Sequence, residues 1–459
     1  MVKTETIAAI ATALSPAGIG IIRISGEDAP EIADRIFVPA KGKKKLADQK
    51  GYTVHYGHIA ENGEILDEVL ALVMRAPHSY TTENCVEIHC HGGILVLRRI
   101  LSAVLRNGAR MAEPGEFTRR AFLGGRIDLS QAEAVMDLIN AKSDYARKSS
   151  VRQLGGALSE KVRSLREIIL YETAYIESAL DDPEHISLDG YPERLKGILI
   201  PMAEELQNLA ATFSRGKVVR EGIQTVILGK PNAGKSSLMN VLVGEDRAIV
   251  TDVEGTTRDT LEEQIRLRGI SLNIIDTAGI RETDNIVEKI GVDKARSIVD
   301  KADLILYIVD GSRPLDENDR QILELIEGRR AIVLLNKSDL RQVLTAEEVE
   351  NVSGRKVLPV SAKEQTGFDR LEETIESMFL SGEIDFNEEL IITNDRHRAA
   401  LEEAEKSLQL VLESIESGMT EDFFTVDLLN AYEELGSIIG ESMEDDLAEE
   451  IFRNFCMGK

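Results

Sequence analysis

Cysteine, long hydrophobic runs and positive charge are what this 459-residue sequence has least of, and each shortage removes a class of protein. Three cysteines, Cys85, Cys90 and Cys456, are too few and too scattered for a disulfide framework, which points to a reducing compartment. No apolar run approaches the roughly 20 residues that a membrane span needs. Residues 7–14, after Lys3, have the small apolar texture of a signal peptide. Glu5, the single early lysine and the strand-like run at 20–25 favour the first strand of a domain instead. A soluble, cytoplasmic chain is expected. Lys and Arg number 54 against 80 Asp and Glu, a net charge of −26. Residues 381–459 hold 5 basic and 21 acidic residues, so −16 of that total sits in the last stretch. Phosphate affinity comes largely from Lys and Arg, so a nucleic-acid groove built on bulk positive charge is not expected there.

What the chain does have is 43% apolar residues and length for about three domains at roughly 150 residues each. Three textures follow one another. Residues 1–120 break into short strand-like runs at 20–25, 53–59, 69–74 and 85–90, with helical stretches at 29–36 and 95–106. The basic run at 41–45 reads as a solvated loop. From 129 to about 207 apolar residues recur at three-to-four spacing (Ala132, Val135, Met136, Ile139; then Leu165, Ile168, Ile169), the pattern of long amphipathic helices. A break is expected at 181–184, and Pro201 is expected to open another helix. From 223 to about 380 strands alternate with helices (225–229, 272–276, 304–310, 331–336, 357–361), which implies a mostly parallel sheet. Helical texture then returns to the end. Because domain termini often lie close together, the α/β segment could be inserted into one helical domain.

The α/β segment carries a nucleotide site. Gly229-Lys-Pro-Asn232-Ala233-Gly234-Lys235-Ser236, followed by Ser237, fits G-x-x-x-x-G-K-[ST] between an apolar strand and a helix. Glycines let backbone N–H groups wrap a phosphate, Lys235 supplies a cation, and the Ser236 hydroxyl can ligate Mg²⁺. Thr251, Thr256 and Thr257 offer hydroxyls in a polar, Gly-containing loop. Asp276-Thr277-Ala278-Gly279 ends an apolar strand, where α/β ligands bind, with Asp276 reaching the ion through water and the Gly279 N–H sensing a γ-phosphate. Asn336-Lys337-Ser-Asp339 chooses the base: an ionised carboxylate matches the N1–H and 2-amino donors of guanine, which adenine lacks. Ser361-Ala362-Lys363 can give a backbone N–H to the guanine carbonyl. Five motifs in order read as a GTP site. Ile280 stands where small signalling GTPases carry the Gln that orients water, so another group must act. Arg281, Glu282 and Glu288 are the polar candidates, and spacing alone does not choose among them.

Beyond these motifs the chain resembles, from end to end, the MnmE (TrmE) family of tRNA-modification GTPases. The likeness rests on Gly20-Ile-Ile-Arg23-Ile-Ser-Gly26, on Val86-Glu87-Ile-His-Cys-His-Gly-Gly93, and on Ala112-Glu-Pro-Gly-Glu-Phe-Thr-Arg-Arg-Ala-Phe122. Gly125-Arg126-Ile-Asp-Leu-Ser-Gln-Ala-Glu133 and the ending Phe455-Cys456-Met-Gly-Lys459 complete it. The resemblance implies a multidomain α/β and α fold. An N-terminal α+β tetrahydrofolate-binding and dimerisation domain (1–120) precedes a helical domain (121–218 and 381–459) that holds an inserted P-loop, Ras-like GTPase domain (219–380). It implies a homodimer working with an FAD-dependent partner, MnmG or GidA. Together they would place an aminomethyl or carboxymethylaminomethyl group on C5 of the wobble uridine of certain tRNAs. The carbon would come from a folate (5-formyl- or 5,10-methylene-tetrahydrofolate).

Carried over by motif, Arg23, Glu87, Arg126 and Lys459 line the folate site. Arg and Lys suit the folate's glutamate carboxylates, and Glu87 can accept from pterin N–H donors. Taken alone, Arg23 and Glu87 read as surface residues of strands. Asn232 and the loop at Thr251, Val253 and Thr256 would hold K⁺, Ser236 and Thr257 would hold Mg²⁺, and Glu288 would orient the attacking water. A monovalent cation would supply the charge that an arginine finger supplies elsewhere. Arg258 and Arg281 are secondary candidates. Cys456 is expected to matter for modification, with no paired base to define its role. Cys85, His89, Cys90 and His91 suggest a metal cluster, but on a strand Cys90 points away from the rest, so no zinc site is expected. Two other classes compete. A ribosome-assembly GTPase would carry a basic or G-x-x-G-bearing C-terminus, and a scaffold switch would not need Lys235, Ser236, Thr257 and Asp276 intact. The acidic balance is reconciled with a tRNA substrate if the partner supplies most of the tRNA-binding surface.

Overall fold

The computed structural model describes residues 5–43, 45–244, 263–275, 296, 298–379, 390–441, 451–453, 455 and 458. The chain divides into two compact units, residues 1–136, 153–202 and 403–459 in one, 137–152 and 203–402 in the other.

The first unit is built on a seven-stranded sheet of β1 (Ile7–Ile10), β2 (Ala17–Ser25), β3 (Phe37–Pro39), β4 (Thr53–Glu61), β5 (Glu64–Met74), β6 (Cys85–Gly92) and β7 (Arg110–Met111). Its order is β3-β4-β5-β6-β2-β1-β7, antiparallel throughout except for β1 against β7. Residues 7–10 are thus the strand that the N-terminal apolar run suggested. The helices Ala29–Asp34 and Ile94–Arg106 bury Ile32, Ala33, Leu97, Ile100 and Val104 against Ile22, Ile24, Val86 and Ile88. Alternate strand residues leave the other face polar or exposed, the period-two signature of a sheet covered on one side.

The same unit contains the 25-residue helix Ala157–Asp181, which packs on Asp422–Ile439 through Leu158, Val162, Leu165, Ile169 and Ile176 on one side and Phe424, Leu428, Leu435 and Ile438 on the other. Ile168, expected in that stripe, is exposed, whereas Arg166 is buried. Arg166 donates to the Tyr432 carbonyl, pairs with Glu441 and lays its guanidinium 3.9 Å from the Tyr432 ring centroid, so its charge is satisfied. Pro201 lies inside the helix Tyr191–Ala211 rather than opening it. Burial of Leu195, Leu199 and Met202 along one stripe outweighs the hydrogen bond that proline removes. The break at 181–184 is present: one helix ends at Asp181 and the next begins at Tyr191.

The second unit holds a six-stranded sheet of β8 (Ile223–Gly229), β9 (Glu263–Leu267), β10 (Ile270–Ile274), β11 (Leu304–Asp310), β12 (Ala331–Asn336) and β13 (Val357–Pro359), in the order β13-β12-β11-β8-β10-β9. All neighbours are parallel except β9 with β10. Strands β11 and β12 are buried along their whole length because both faces are covered. One core joins Ile227, Leu242, Leu272, Leu306 and Phe368; the other joins Val226, Tyr307, Ile322, Val333 and Val349. This is the mostly parallel α/β sheet expected, with β9 added as an antiparallel edge. Among the described residues no helix is long and apolar enough to cross a membrane.

Candidate functional site

Strand β8 ends at Gly229, and the helix Lys235–Val243 begins six residues later. The turn between them needs backbone that most side chains resist: Asn232 has φ 60° and Gly234 φ 107°. A Cβ on Gly234 would also collide with the Asn336 amide. Lys235 is buried, and its ammonium donates to the carbonyls of Gly229 (2.8 Å) and Lys230 (2.9 Å), folding back over the loop. Ser236 and Ser237 stand exposed in the first helical turn, where free N–H groups and the helix dipole favour an anion.

Asn336, the last residue of β12 and 3% exposed, holds three segments together. Its Nδ2 donates to the Ala233 carbonyl at 2.8 Å, and its Oδ1 accepts from the Ala362 N–H at 3.1 Å. Asp339 accepts from the Ser361 hydroxyl at 2.7 Å, a bond that draws its carboxyl below the usual range. Asp339 is exposed, so the choice of base rests on its acceptors and not on burial of the empty side chain. Lys337, at φ 66°, pairs with Asp310 at 2.6 Å. The structure thereby brings together Asn232, Ala233, Gly234, Lys235, Ser236 and Ser237 with Asn336, Lys337, Asp339, Ser361, Ala362 and Lys363. Thr251, Val253, Thr256, Thr257, Arg258, Asp276, Thr277, Ala278, Gly279, Arg281, Glu282 and Glu288 lie outside the described residues.

One support of the loop escaped sequence reasoning. The Lys230 ammonium donates to Asp316 (2.9 Å) and Asp319 (2.5 Å), and Tyr307 donates to the other oxygen of Asp319 at 2.7 Å. Burial opposes the Lys230 charge, but the two carboxylates outweigh it and raise its pKa. The capping box of Asp316 and Asp319, which starts the helix Glu317–Leu325, was a legible signal, although its link to Lys230 spans more than 80 residues.

A second cluster forms on the seven-stranded sheet. Arg23 of β2 and Glu87 of β6 are register partners; Arg23 Nε donates to Glu87 Oε1 at 2.8 Å, and both side chains are 13% exposed. The Arg23 guanidinium lies 5.0 Å from the Tyr80 ring centroid and 5.6 Å from that of Phe117. Arg126 approaches Tyr80 as well, at 4.5 Å. His89 Nε2 is buried without a hydrogen bond, 3.5 Å from Glu87 Oε2. Arg23 also donates to the Gly458 carbonyl at 3.3 Å, while Phe455 packs with Phe452 and Ala121. Three of the four residues assigned to this site, Arg23, Glu87 and Arg126, are therefore neighbours; Lys459 and Cys456 lie outside the described residues. Tyr80 and Phe117 were missed, and His89 was weighed only as a metal ligand, because strand alternation marks faces without saying which loops cover them. His91 is held apart from this group by Asp67 at 2.7 Å.

The two clusters can do different chemistry. A loop of N–H groups with a lysine over it suits phosphates. An arginine–carboxylate pair with aromatic rings and an unsatisfied imidazole suits a planar heterocycle carrying N–H donors and carboxylates.

Comparison with known proteins covers the whole chain. A family model described as the MnmE helical domain matches residues 129–456, and one described as the GTP-binding protein TrmE N-terminus matches residues 6–126. The tRNA modification GTPase MnmE of Lachnoclostridium phytofermentans is 56% identical over 457 residues, covering 100% of both chains. The protein of that name from Acetivibrio thermocellus is 47% identical over 467 residues, again covering 100% of both. Among solved structures, the G domain of the T. maritima FeoB iron transporter is 26% identical, covers 35% of this chain and 99% of its own, and has a TM-score of 0.27.

Proposed function

Because this chain belongs to the MnmE family of tRNA modification GTPases, we propose that it spends GTP, together with an FAD-dependent partner of the MnmG (GidA) kind, on placing an aminomethyl or carboxymethylaminomethyl group at C5 of the wobble uridine of certain tRNAs. The chain is a GTPase, with GTP and Mg²⁺ as its nucleotide and ion. Its residues suit both. Lys235, held by two loop carbonyls, can exchange them for phosphate oxygens without moving its backbone. Ser236 is exposed at the helix start and would hold Mg²⁺ with Thr257, the ion drawing charge from the phosphates when bound. Asp339, held by the Ser361 hydroxyl, accepts from guanine, and the Asn336 clasp fixes the phosphate loop relative to the base-reading segments. Glu288 orients the attacking water, and Asn232, Thr251, Val253 and Thr256 hold K⁺; Ile280, unable to polarise water, supports both assignments.

The folate carbon is assigned to the sheet cluster, and its carrying observation is the gathering of Arg23, Glu87 and Arg126 around Tyr80 beneath the Gly458 carbonyl. Glu87 Oε2 and His89 Nε2, 3.5 Å apart without a hydrogen bond, are the groups a pterin edge would meet, and a folate bound there would supply the one-carbon unit. Arg126, exposed, and Lys459 would meet its carboxylates. Cys456 is assigned to the modification step on its place between Phe455 and Gly458, with no chemistry specified. We assign residues 1–120 to this domain, 121–218 and 381–459 to the helical domain, and 219–380 to the GTPase domain. A homodimer through the N-terminal domain is supported by exposed Val54, Tyr56 and Leu70, with Tyr56 and Leu70 register partners on β4 and β5, a bare apolar face of the kind that marks interfaces. tRNA is contacted mainly through the partner, in keeping with the acidic charge.

The test of the folate assignment is calorimetric titration of 5-formyltetrahydrofolate into the full chain and its Arg23→Gln variant. Loss of the ion pair that fixes Glu87 for the pterin edge predicts affinity lower by about tenfold or more. Equal affinity, with GDP binding intact, would remove the folate from this cluster and leave the GTPase standing.

A further inference from the structure

Within the second unit, a half-open cleft of about 420 Å³ lies beside the first residues of β8, at the end of the strand away from the phosphate loop. Gln224 to Gly229 spans about 16 Å at strand rise, so the cleft is no part of the nucleotide site. Two of its lining residues carry buried polar atoms with no hydrogen-bond partner among the described residues. Asn273, register partner of Gln224 and 2% exposed, donates from Nδ2 to the Glu221 carbonyl at 2.8 Å, while its Oδ1 has no hydrogen bond. Thr393, 6% exposed, has an unpartnered hydroxyl, although its carbonyl accepts from Arg220 at 3.3 Å. Such groups are nearly always bonded in folded proteins, and both line this one cleft.

The charges on the wall narrow the ligand. Asp137 and Arg220 pair at 2.9 Å and cancel. Lys142 and Glu221 also line the cleft, and neither side chain has a hydrogen-bond or ion-pair partner among the described residues. Two acids and two bases leave no net charge, which disfavours an ionic ligand of either sign. Asn273 Oδ1 asks for an N–H donor, and Lys142 asks for an acceptor oxygen. We propose that this cleft is a binding site for a small, uncharged ligand with an amide or lactam edge, its N–H on Asn273 and its carbonyl facing Lys142, with the Thr393 hydroxyl completing the set. The reading does not depend on the function proposed for the folate cluster.

The experiment is saturation-transfer NMR and calorimetry on the full chain, with N-acetylglycinamide as the probe and acetate and guanidinium chloride as charged controls. The expected result is saturable binding of the diamide alone. Lys142→Met should weaken it about tenfold, the share of one hydrogen bond to a charged group. Lys142 is half-buried and unpaired, so that variant should fold; Thr393→Val is the second probe, and GDP binding by both variants verifies their fold. Absence of saturable diamide binding, equal binding of acetate or guanidinium, or binding that both variants leave unchanged would each overturn the assignment.

Discussion

Replacing Asn336 by Asp separates the clasp from the bulk of the side chain. The substitution keeps the oxygen that accepts from the Ala362 N–H at 3.1 Å but loses the amide that donates to the Ala233 carbonyl at 2.8 Å. In its place a carboxylate oxygen faces that carbonyl, two acceptors in contact in a site where Asn336 is 3% exposed. An unsatisfied buried acceptor costs about 1–3 kcal/mol, and the phosphate loop must leave its position to avoid it. If nucleotide binding needs the clasped loop, GDP affinity falls by about 5- to 150-fold, the same energy read as a dissociation constant. The assay is titration with a fluorescent GDP analogue, paired with thermal unfolding without nucleotide to show that the fold survives. Asn336→Ala, which orphans both partners, should be worse on both counts. A folded Asp variant with unchanged GDP affinity would refute the idea that this side chain positions the loop.

Other expectations follow from the N-terminal unit. Burial alone would raise the Glu116 carboxyl, but Arg110, the Glu113 N–H and Arg120 overcome it and hold it at about 2. A carboxyl lowered from 4.5 stabilises the fold above that value and loses its contribution as pH falls toward about 2. The amount is about 3 kcal/mol. Thermal unfolding should therefore weaken steeply on acidification, and Glu116→Gln should flatten that slope; an identical slope would contradict the assignment. Desolvation pushes the Cys85 thiol up to about 12 and the Cys90 thiol up to about 11, so neither should react with DTNB in the native protein near pH 8. All fast labelling should then vanish in Cys456→Ser, and persistence would show that a buried cysteine opens. Gly458 has φ 90°, and a Cβ there would collide with the Ile10 carbonyl. Gly458→Ala should weaken 5-formyltetrahydrofolate binding while sparing GDP; a variant that binds both normally would detach the C-terminal residues from the folate cluster.

What could be read in advance was what is contiguous. The phosphate loop, Asn336 to Asp339 and Ser361 to Lys363 are short words at strand ends, and strand periodicity located β2, β4, β5 and β6. Short edge strands escaped: β3 contains a proline, β7 has two residues, and β9 alternates polar and apolar groups like a surface loop. Pro201 misled because local propensity was set against a buried stripe that only packing reveals. The Arg23–Glu87 pair was invisible to spacing. Its register exists only because β6 returns beside β2, past three intervening strands in sequence, and that pairing turns two surface-like residues into a nearly enclosed ion pair. Lys230 with Asp316 and Asp319 is the same case, a local capping box whose role depends on a distant lysine.

The most direct measurement of the central claim is mass spectrometry of tRNA nucleosides from cells lacking this protein, rescued with the wild type or with Lys235→Ala. Lys235 is the cation over the phosphate loop, so its loss should remove GTP turnover while leaving the folate cluster intact. The account predicts that the C5 modification of wobble uridine disappears in the deletion and returns only with the wild type. A nucleoside profile unchanged by the deletion would contradict the modification function, and full rescue by Lys235→Ala would contradict the need for a working GTP site.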